Sequence, residues 1–400
     1  MDFLNLHTVD YVLVGTLLVL FLAQLYWYSR YMAAPARRIR KDRKLQMTTA
    51  LPIDRNGKSP MDEVPGVSVI LCAHNESYNL SQYLQAVLTQ DYPLYEVIVV
   101  DDGSEDATRD IIEGYMNFDP RLHMTFVPLG ARVGSTKKLA LTLGAKAAKY
   151  DYLLLTDADC VPESNHWISA MMEGAGKDII LGFGAYFCEK GHINRLVRYD
   201  TLFNGLHYLG AALCGHPYMG VGRNLAYRKS FFFECGGFTH LMTNRAGDDD
   251  LFVNHMATKQ NTAVVLSHDS YTWSLTKKTM KEWWQQKRRH ISVSPAYRGA
   301  TKIRLALEPI TRGLFYALVL GILIYALQSD FTLSALSIPL LAAVGLFILR
   351  WIIQTAIINC SARRMGQHRF GMFSILWFDM ALPLVSLFML VVPQRKTNKW

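Results

Sequence analysis

The apolar positions of this chain fall into three regimes: an unbroken run near the start, a periodic middle, and a second unbroken region near the end. Val12 to Tyr28 is almost wholly apolar, interrupted by Thr16 and Gln24 and closed by Tyr26, Trp27 and Tyr28. At ~1.5 Å per helical residue, extended a little at each end, it reaches the ~30 Å of a bilayer core. Arg30, Arg37, Arg38, Arg40, Lys41, Arg43 and Lys44 follow it, which marks the cytoplasmic end. A cleaved signal peptide carries its charge before the apolar core and a small-residue cleavage site after it, so the pattern predicts a retained anchor. Near the other end, Gly313 to Leu327 and Phe331 to Leu349 flank Gln328-Ser329-Asp330 and predict a helical hairpin. Its second limb is expected to continue to about Asn359, with Arg350 snorkelling to the cytoplasmic interface. Arg363, Arg364, His368 and Arg369 then form a basic loop. Met372 to Val392 contains Asp379 and Pro383 and precedes Arg395, Lys396 and Lys399. It reads either as a further span or as a re-entrant or interfacial hairpin bent at Pro383.

The middle of the chain alternates two periods. Val67 to Cys72, Glu96 to Val100, Leu153 to Thr156 and, more weakly, Ile179 to Phe183 are short β-branched or leucine runs. Leu80, Tyr83, Leu84 and Val87 recur at helical spacing, and Ala107 to Met116 and Lys137 to Ala148 repeat that pattern. Strands alternating with helices predict a mostly parallel sheet with ligands at the carboxyl ends of its strands. Ala33 to Pro65 has no apolar period and reads as a linker. No internal repeat is visible.

Composition narrows the class. Half of the 400 residues are hydrophobic and 19% are charged, which excludes disorder, collagen and coiled coil. Six scattered cysteines without C-x-x-C or zinc spacing read as buried hydrophobes of a reducing compartment. The net charge of +9 is local: seven basic residues oppose Asp42 between Arg30 and Lys44, and nine oppose Glu282 between Lys277 and Arg304. The rest of the chain is net acidic. That distribution suits a membrane surface or a phosphate-bearing ligand and gives no nucleic-acid face.

Acids stand where the predicted strands end: Asp101-Asp102-Gly103-Ser104 after the second, Asp157-Ala158-Asp159 after the third. Carboxylates just past a buried strand are costly unless they bind something. The D-x-D spacing lets one carboxylate ligate a hard cation while its neighbour takes a ribose hydroxyl, and a cation held so would neutralise a diphosphate leaving group.

Taken in order, these segments resemble a family 2 glycosyltransferase of the GT-A fold, of the membrane-anchored bacterial type related to cellulose- and hyaluronan-synthase-like enzymes. The resemblance runs from about Val67 to Arg298. Val67 to Ile70 with Ala73-His74-Asn75-Glu76 resembles the first strand and the loop that meets the nucleotide, and Val100 to Ser104 the next, where an aspartate holds the base. Lys137 to Gly144 resembles a lysine-led helix that approaches base and diphosphate, and Asp157-Ala158-Asp159 is the D-x-D. Gly222 to Arg228 with Gly236-Gly237-Phe238 resembles the acceptor-side segment. Gly247-Asp248-Asp249-Asp250-Leu251 resembles the motif whose second acid is the general base, although an acid here also suits the cap of a helix beginning at Leu251. Gln286-Lys287-Arg288-Arg289-His290 stands where processive synthases carry Q-x-x-R-W, with His290 in place of the tryptophan that contacts the acceptor sugar.

The resemblance implies an α/β, mostly parallel GT-A (Rossmann-like) domain with flanking transmembrane helices. The expected organisation is an anchor (1–30), a basic cytoplasmic linker (31–64), the GT-A domain (65–275), a basic amphipathic interfacial region (276–308), and a membrane hairpin with a further segment (309–400). It implies an integral, multi-pass protein of a bacterial cell membrane with its catalytic domain in the cytoplasm. Asp249 as base and Arg289 at the leaving group would be catalytic. Glu76, Asp101, Asp102, Lys137 and Asp157 would hold the nucleotide-sugar, and Asp159 a Mg²⁺ or Mn²⁺ ion. Asn224, Asp248, Gln286 and His290 would face the acceptor. The expected activity is metal-dependent, inverting transfer to a lipid-linked or saccharide acceptor beside membrane lipids. The alternatives are a processive polysaccharide synthase and a catalytically silent nucleotide-sugar binding protein.

Overall fold

The computed structural model describes residues 8–48, 64–128, 130, 135–241, 247, 249–328 and 338–391. Asp248 lies outside the described residues, as does the turn at 329–330. The helices are α1 Thr8–Trp27, α2 Ala34–Thr48, α3 Ser77–Leu88, α4 Thr108–Met116, α5 Thr136–Ala147, α6 Trp167–Met172, α7 His192–Leu213, α8 Lys229–Glu234, α9 Asp250–Met256, α10 Met280–Ile291, α11 Gly299–Gln328, α12 Ile338–Arg364 and α13 Met372–Val391. The strands are β1 Val67–Ala73, β2 Tyr95–Asp101, β3 Leu122–Phe126, β4 Tyr152–Asp157, β5 Cys160–Pro162, β6 Ile179–Leu181, β7 Gly184–Tyr186, β8 Leu225–Arg228, β9 Thr262–Val264 and β10 Thr272–Ser274.

Seven strands form one sheet in the order β3-β2-β1-β4-β8-β6-β9, and β5-β10-β7 form a second, small one. In the large sheet β1 pairs in parallel with β2 and β4, while β8 is antiparallel to both β4 and β6. All seven residues of β1 and of β2 are buried, because helices cover both faces and leave no solvated side for polar residues. The period of two sorts them. Ile70, Cys72, Ile98 and Val100 join one core with α5 and α7, whereas Val69, Leu71, Val97 and Val99 join another with α3 and α6. The order reverses at β1, whose connection leads to β2 on one side and whose other neighbour is β4. The crevice past the carboxyl ends of β1 and β4 is therefore the topological switch point.

Outside the sheet, α1, α11 and α12 pack on one another around Leu17, Phe21, Phe315, Val319, Ile322 and Ala343. These three and α13 are long and apolar enough to cross a membrane. Four details depart from expectation. The basic linker is helical at its start, as α2. Ala34 and Ala36 are buried, Arg364 donates to the carbonyl of Ala36 at 2.7 Å, and Arg38 pairs with Asp42 one turn on, so tertiary contact replaces apolar period. A π-helical turn, Tyr28–Met32, joins α1 to α2, and α7 passes so close that a Cβ at Gly210 would lie 2.1 Å from the carbonyl oxygen of Tyr31. The interfacial region is not one unit either: α10 is separate, and α11 already begins at Gly299.

Arg350 does not snorkel. It is 3% exposed and donates to Asp379 at 3.0 Å and to Gln24 at 3.1 Å. Arg312 also meets Asp379, at 2.7 Å, and Glu308 at 2.9 Å. A buried counter-charge on α13 removes the reason for the guanidinium to reach water. Nor does Pro383 bend Met372–Val392 into a hairpin; α13 is continuous. Proline at 383 deprives the Asp379 carbonyl of its helical donor, and Arg312 reaches that carbonyl at 3.4 Å.

Candidate active site

Register sets the site. Ala73 lies opposite Asp101, and Cys72 opposite Asp157, so the acids ending β2 and β4 stand level on either side of the end of β1. The loop after β1 is built to meet them. His74 bonds through Nδ1 to the carbonyl of Asp102 at 2.7 Å, and Asn75 adopts a left-handed conformation, φ 56°, that an asparagine tolerates. Asp101 accepts the amide hydrogen of Ser104 at 3.0 Å, folding the Asp-Asp-Gly-Ser turn over itself. Asp102 is buried.

The D-x-D acids separate electrostatically. Burial alone would raise the Asp157 carboxyl, but the Lys137 ammonium 2.9 Å away outweighs it, with Arg223 and Arg289 adding, and the group sits below its ordinary range. Asp159 is pushed up, first by burial and next by the charge of Asp157, with Arg223 and Lys277 partly offsetting. Glu76 is also raised, by burial first; a hydrogen bond from Asn79 at 2.5 Å opposes this, and Asp159 and Asp157 add to it. Burial thus holds Asp159 and Glu76 above their ordinary range beside Asp157, which its cations hold below it. Asp157 and Asp159 are hard oxygen donors, and the described residues contain no group of three or more His, Cys, Asp or Glu suited to hold an ion alone. Such a donor set fits a cation that completes its shell from phosphate oxygens and water.

Opposite stands Arg223, a residue that the sequence reading left without a role. It donates to the carbonyls of Ala185 and Gly184 at 3.1 and 3.0 Å and to Ser274 at 2.7 Å. Its guanidinium lies 4.2 Å from the centroid of the Tyr186 ring. Two of the small sheet's three strands, β7 and β10, therefore hold one cation whose charge reaches the D-x-D. The available signal was its place between Gly222 and Asn224. Lys277, expected to face lipid phosphate, carries a charge felt by Asp159 and Glu76.

Asp249 is the N-cap of α9. It accepts from the amide of Asp250 at 2.9 Å and from that of Gly222 at 2.6 Å, so the cap and the candidate base are the same residue. On α10 a capping box, Thr279 with Glu282, starts the helix. Gln286 donates to the Tyr186 hydroxyl at 3.0 Å, and Lys287 pairs with Asp200 at 2.5 Å. Arg289 is exposed, its charge reaching Asp157. His290 keeps an exposed edge, yet desolvation, then Arg289 and Lys287, push it down to about 4, so the imidazole is neutral at pH 7. Asn224 is fully buried, receives a hydrogen bond from Trp167 and donates to the carbonyls of Phe183 and Ser270, so its amide joins β8 to the core.

Comparison with known proteins places this arrangement. The chain is 36% identical over 104 residues to a poly-beta-1,6-N-acetyl-D-glucosamine synthase of Staphylococcus epidermidis, covering 26% of this chain and 24% of that protein. It is 26% identical over 240 residues to the probable glycosyltransferase YdaM of Bacillus subtilis, covering 57% and 55%. The chain thus spans between a quarter and about half the length of these relatives. Among solved structures it is similar to the mannosyltransferase PcManGT of Pyrobaculum calidifontis, in complex with GDP-Man and Mn²⁺. That match has a TM-score of 0.53 at 18% identity and covers 89% of this chain and 98% of that one. The fold is GT-A, an α/β domain flanked by transmembrane helices. Residues 68–236 match the family described as glycosyl transferase family 2, and residues 154–353 match glycosyl transferase family group 2. The chain belongs to the family 2 glycosyltransferases.

Proposed function

We propose that this glycosyltransferase moves one or a few sugars from a nucleoside-diphosphate donor to a lipid-linked or membrane-proximal acceptor, on the cytoplasmic face and with inversion. One observation carries the reading: Lys137, Arg223 and Arg289 act on Asp157, and Arg223 and Lys277 on Asp159, at the switch point, a charge pattern matched to a diphosphate with its metal ion. In the transfer the anomeric carbon–oxygen bond to the diphosphate breaks as the acceptor oxygen bonds the same carbon from the opposite side. The acceptor proton passes to Asp249, and the bonding pair leaves with the nucleoside diphosphate. Asp159, beside Asp157, would hold Mg²⁺ or Mn²⁺, which when bound offsets charge on the leaving diphosphate. Glu76, Asp101, Asp102 and Lys137 hold the nucleotide-sugar; Arg289 faces the leaving group. Gln286 and His290 sit on the acceptor side. A further support for a lipid-linked acceptor is a cavity of about 570 Å³ between α7, α10 and α13, lined by Trp283, Trp284, Trp377 and Phe378, on the helix that carries Gln286.

The names of the staphylococcal relatives favour a second reading, a processive polysaccharide synthase. His290 in place of the stacking tryptophan speaks against it. Membranes containing the protein, supplied with a panel of labelled nucleotide-sugars, separate the two. Label in the lipid extract, with released nucleoside diphosphate, is the expected result. Label in high-molecular-weight polymer alone would restore the synthase, and no release from any donor would overturn both.

A further inference from the structure

By length and composition α13 is as good a membrane span as α1, α11 or α12. Its contacts are different. The shared core of α1, α11 and α12 contains no α13 residue among the described ones. At its start, Trp351 of α12 donates to the carbonyl of Met372 at 3.0 Å and packs on Phe373, ring centroids 5.2 Å apart. At its middle, Asp379 meets Arg350 of α12 and Arg312 of α11, and Phe378 packs on Tyr199 of α7 at 5.0 Å. Near its end, Phe388 meets Trp284 of α10 at 6.0 Å. An antiparallel span would run back along α12 past Phe347 and Ala343. Instead the ~22 Å from Phe373 to Phe388, at ~1.5 Å per residue, lead across the end of the bundle to α10, a helix bonded to the catalytic domain through Gln286 and Tyr186.

The two long sides of α13 have different surroundings. Ile375, Phe378, Asp379 and Leu382 are buried against protein. Phe373, Trp377, Leu384 and Val391 lie along the other side, each two-thirds or more exposed, with Phe373 and Trp377 at its edge bordering the groove against α7 and α10. A continuous apolar stripe of this kind, next to three spanning helices, is stable against hydrocarbon and not against water.

We propose that α13 does not cross the membrane: it lies along the leaflet on the side of the catalytic domain, its outer stripe sunk into the lipid at the headgroup boundary and its inner face clamped by α7, α10 and the Asp379 ion pairs. The chain then crosses three times, with α1, α11 and α12. Arg363, Arg364 and Arg369 before α13, and Arg395, Lys396 and Lys399 after it, fall on one side, in agreement with the bias of basic residues to a single face. This inference is independent of donor and acceptor.

The test compares two cysteines in the full-length protein. Cys188 of the catalytic domain is native and exposed; Thr397→Cys adds one beyond α13. Inside-out and right-side-out vesicles are treated with a membrane-impermeant maleimide, and labelled peptides are read by mass spectrometry. Labelling of both cysteines in the same vesicle orientation is expected. Labelling of Cys188 in one orientation and of position 397 in the other would show that α13 spans and overturn the proposal. A second measurement covers poor labelling: full-length chain fused after Trp400 to green fluorescent protein or to alkaline phosphatase. Fluorescence supports the surface helix; phosphatase activity refutes it.

Discussion

The backbone amide of Gly222 donates to the carboxylate of Asp249 at 2.6 Å, joining the loop before β8 to the cap of α9. The residue proposed as base is thus held from two sides by main-chain donors, since Asp250 supplies the other at 2.9 Å. A carboxylate fixed this way is positioned for proton transfer before the acceptor arrives. A Cβ at Gly222 would stand 3.3 Å from Asp249 Oδ2, a tight contact against the proposed base.

Asp249→Asn keeps the shape and one acceptor oxygen but removes the basic carboxylate. Nucleotide affinity is expected to stay near the wild-type value, while transfer falls by roughly 10²–10⁴-fold, the usual contribution of a general base. Isothermal titration with the nucleoside diphosphate, beside a turnover assay, separates the two quantities. A collapse of affinity together with rate would move Asp249 into the donor site.

Metal dependence is expected from the hard oxygen donors of Asp157 and Asp159, two residues apart at the end of β4. EDTA, or Asp159→Ala, is expected to abolish transfer while the circular dichroism spectrum is retained, with Mn²⁺ or Mg²⁺ restoring activity only to the chelated wild type. Full turnover in EDTA would remove the ion from the mechanism.

Asp379 is shared by Arg312 and Arg350, all three side chains being 7% exposed or less. Asp379→Asn leaves two buried guanidinium groups without their common counter-charge, and breaking a buried pair in this way costs about 3–5 kcal/mol. Thermal unfolding in detergent is the measurement, and a shift no larger than that of a surface control such as Asp42→Asn would show that the network contributes little.

His207 supplies a pH dependence. It is buried on α7 and its Nε2 accepts the indole N–H of Trp27 at 2.8 Å, so the docked ring is neutral. Burial, then the charge of Arg312, pushes its pKa down to about 3. The unfolded chain takes up this proton near the ordinary value of about 6.5, before the folded one does. Stability is therefore undiminished above about pH 6.5 and falls as pH drops from there toward 3, by up to ~1.4 kcal/mol per unit. In His207→Gln, whose side-chain carbonyl can still accept from Trp27, this part of the loss between pH 7 and 5 should vanish.

Several features were legible along the chain because they depend on near neighbours. The strands β1, β2 and β4 are mostly apolar runs, and β2 and β4 each end on an aspartate, Asp101 and Asp157. The D-x-D and the Gln286 to His290 motif are local strings too, as are the apolar stretches long enough for a bilayer. Partly buried β3, with a mixed face, and short β8, inside a segment read only for its motif, carry no such pattern; their pairing with β2 and β4 makes them strands.

What the tertiary structure alone decided is every relationship that closes over a long loop. Arg223 stands near the D-x-D acids because the small sheet bonds its guanidinium, some 65 residues later in the chain, and the Asn224 amide is engaged by Trp167 and two distant carbonyls. Arg350 looked like a charge needing an exit from the membrane, and paired with Asp379 it needs none. The Asp379 carbonyl that Pro383 leaves without a helical donor is met by Arg312 of another helix. Local patterns report what a segment can form by itself; the partner of a buried charge, and the side of a membrane on which a helix rests, are properties of the whole folded chain.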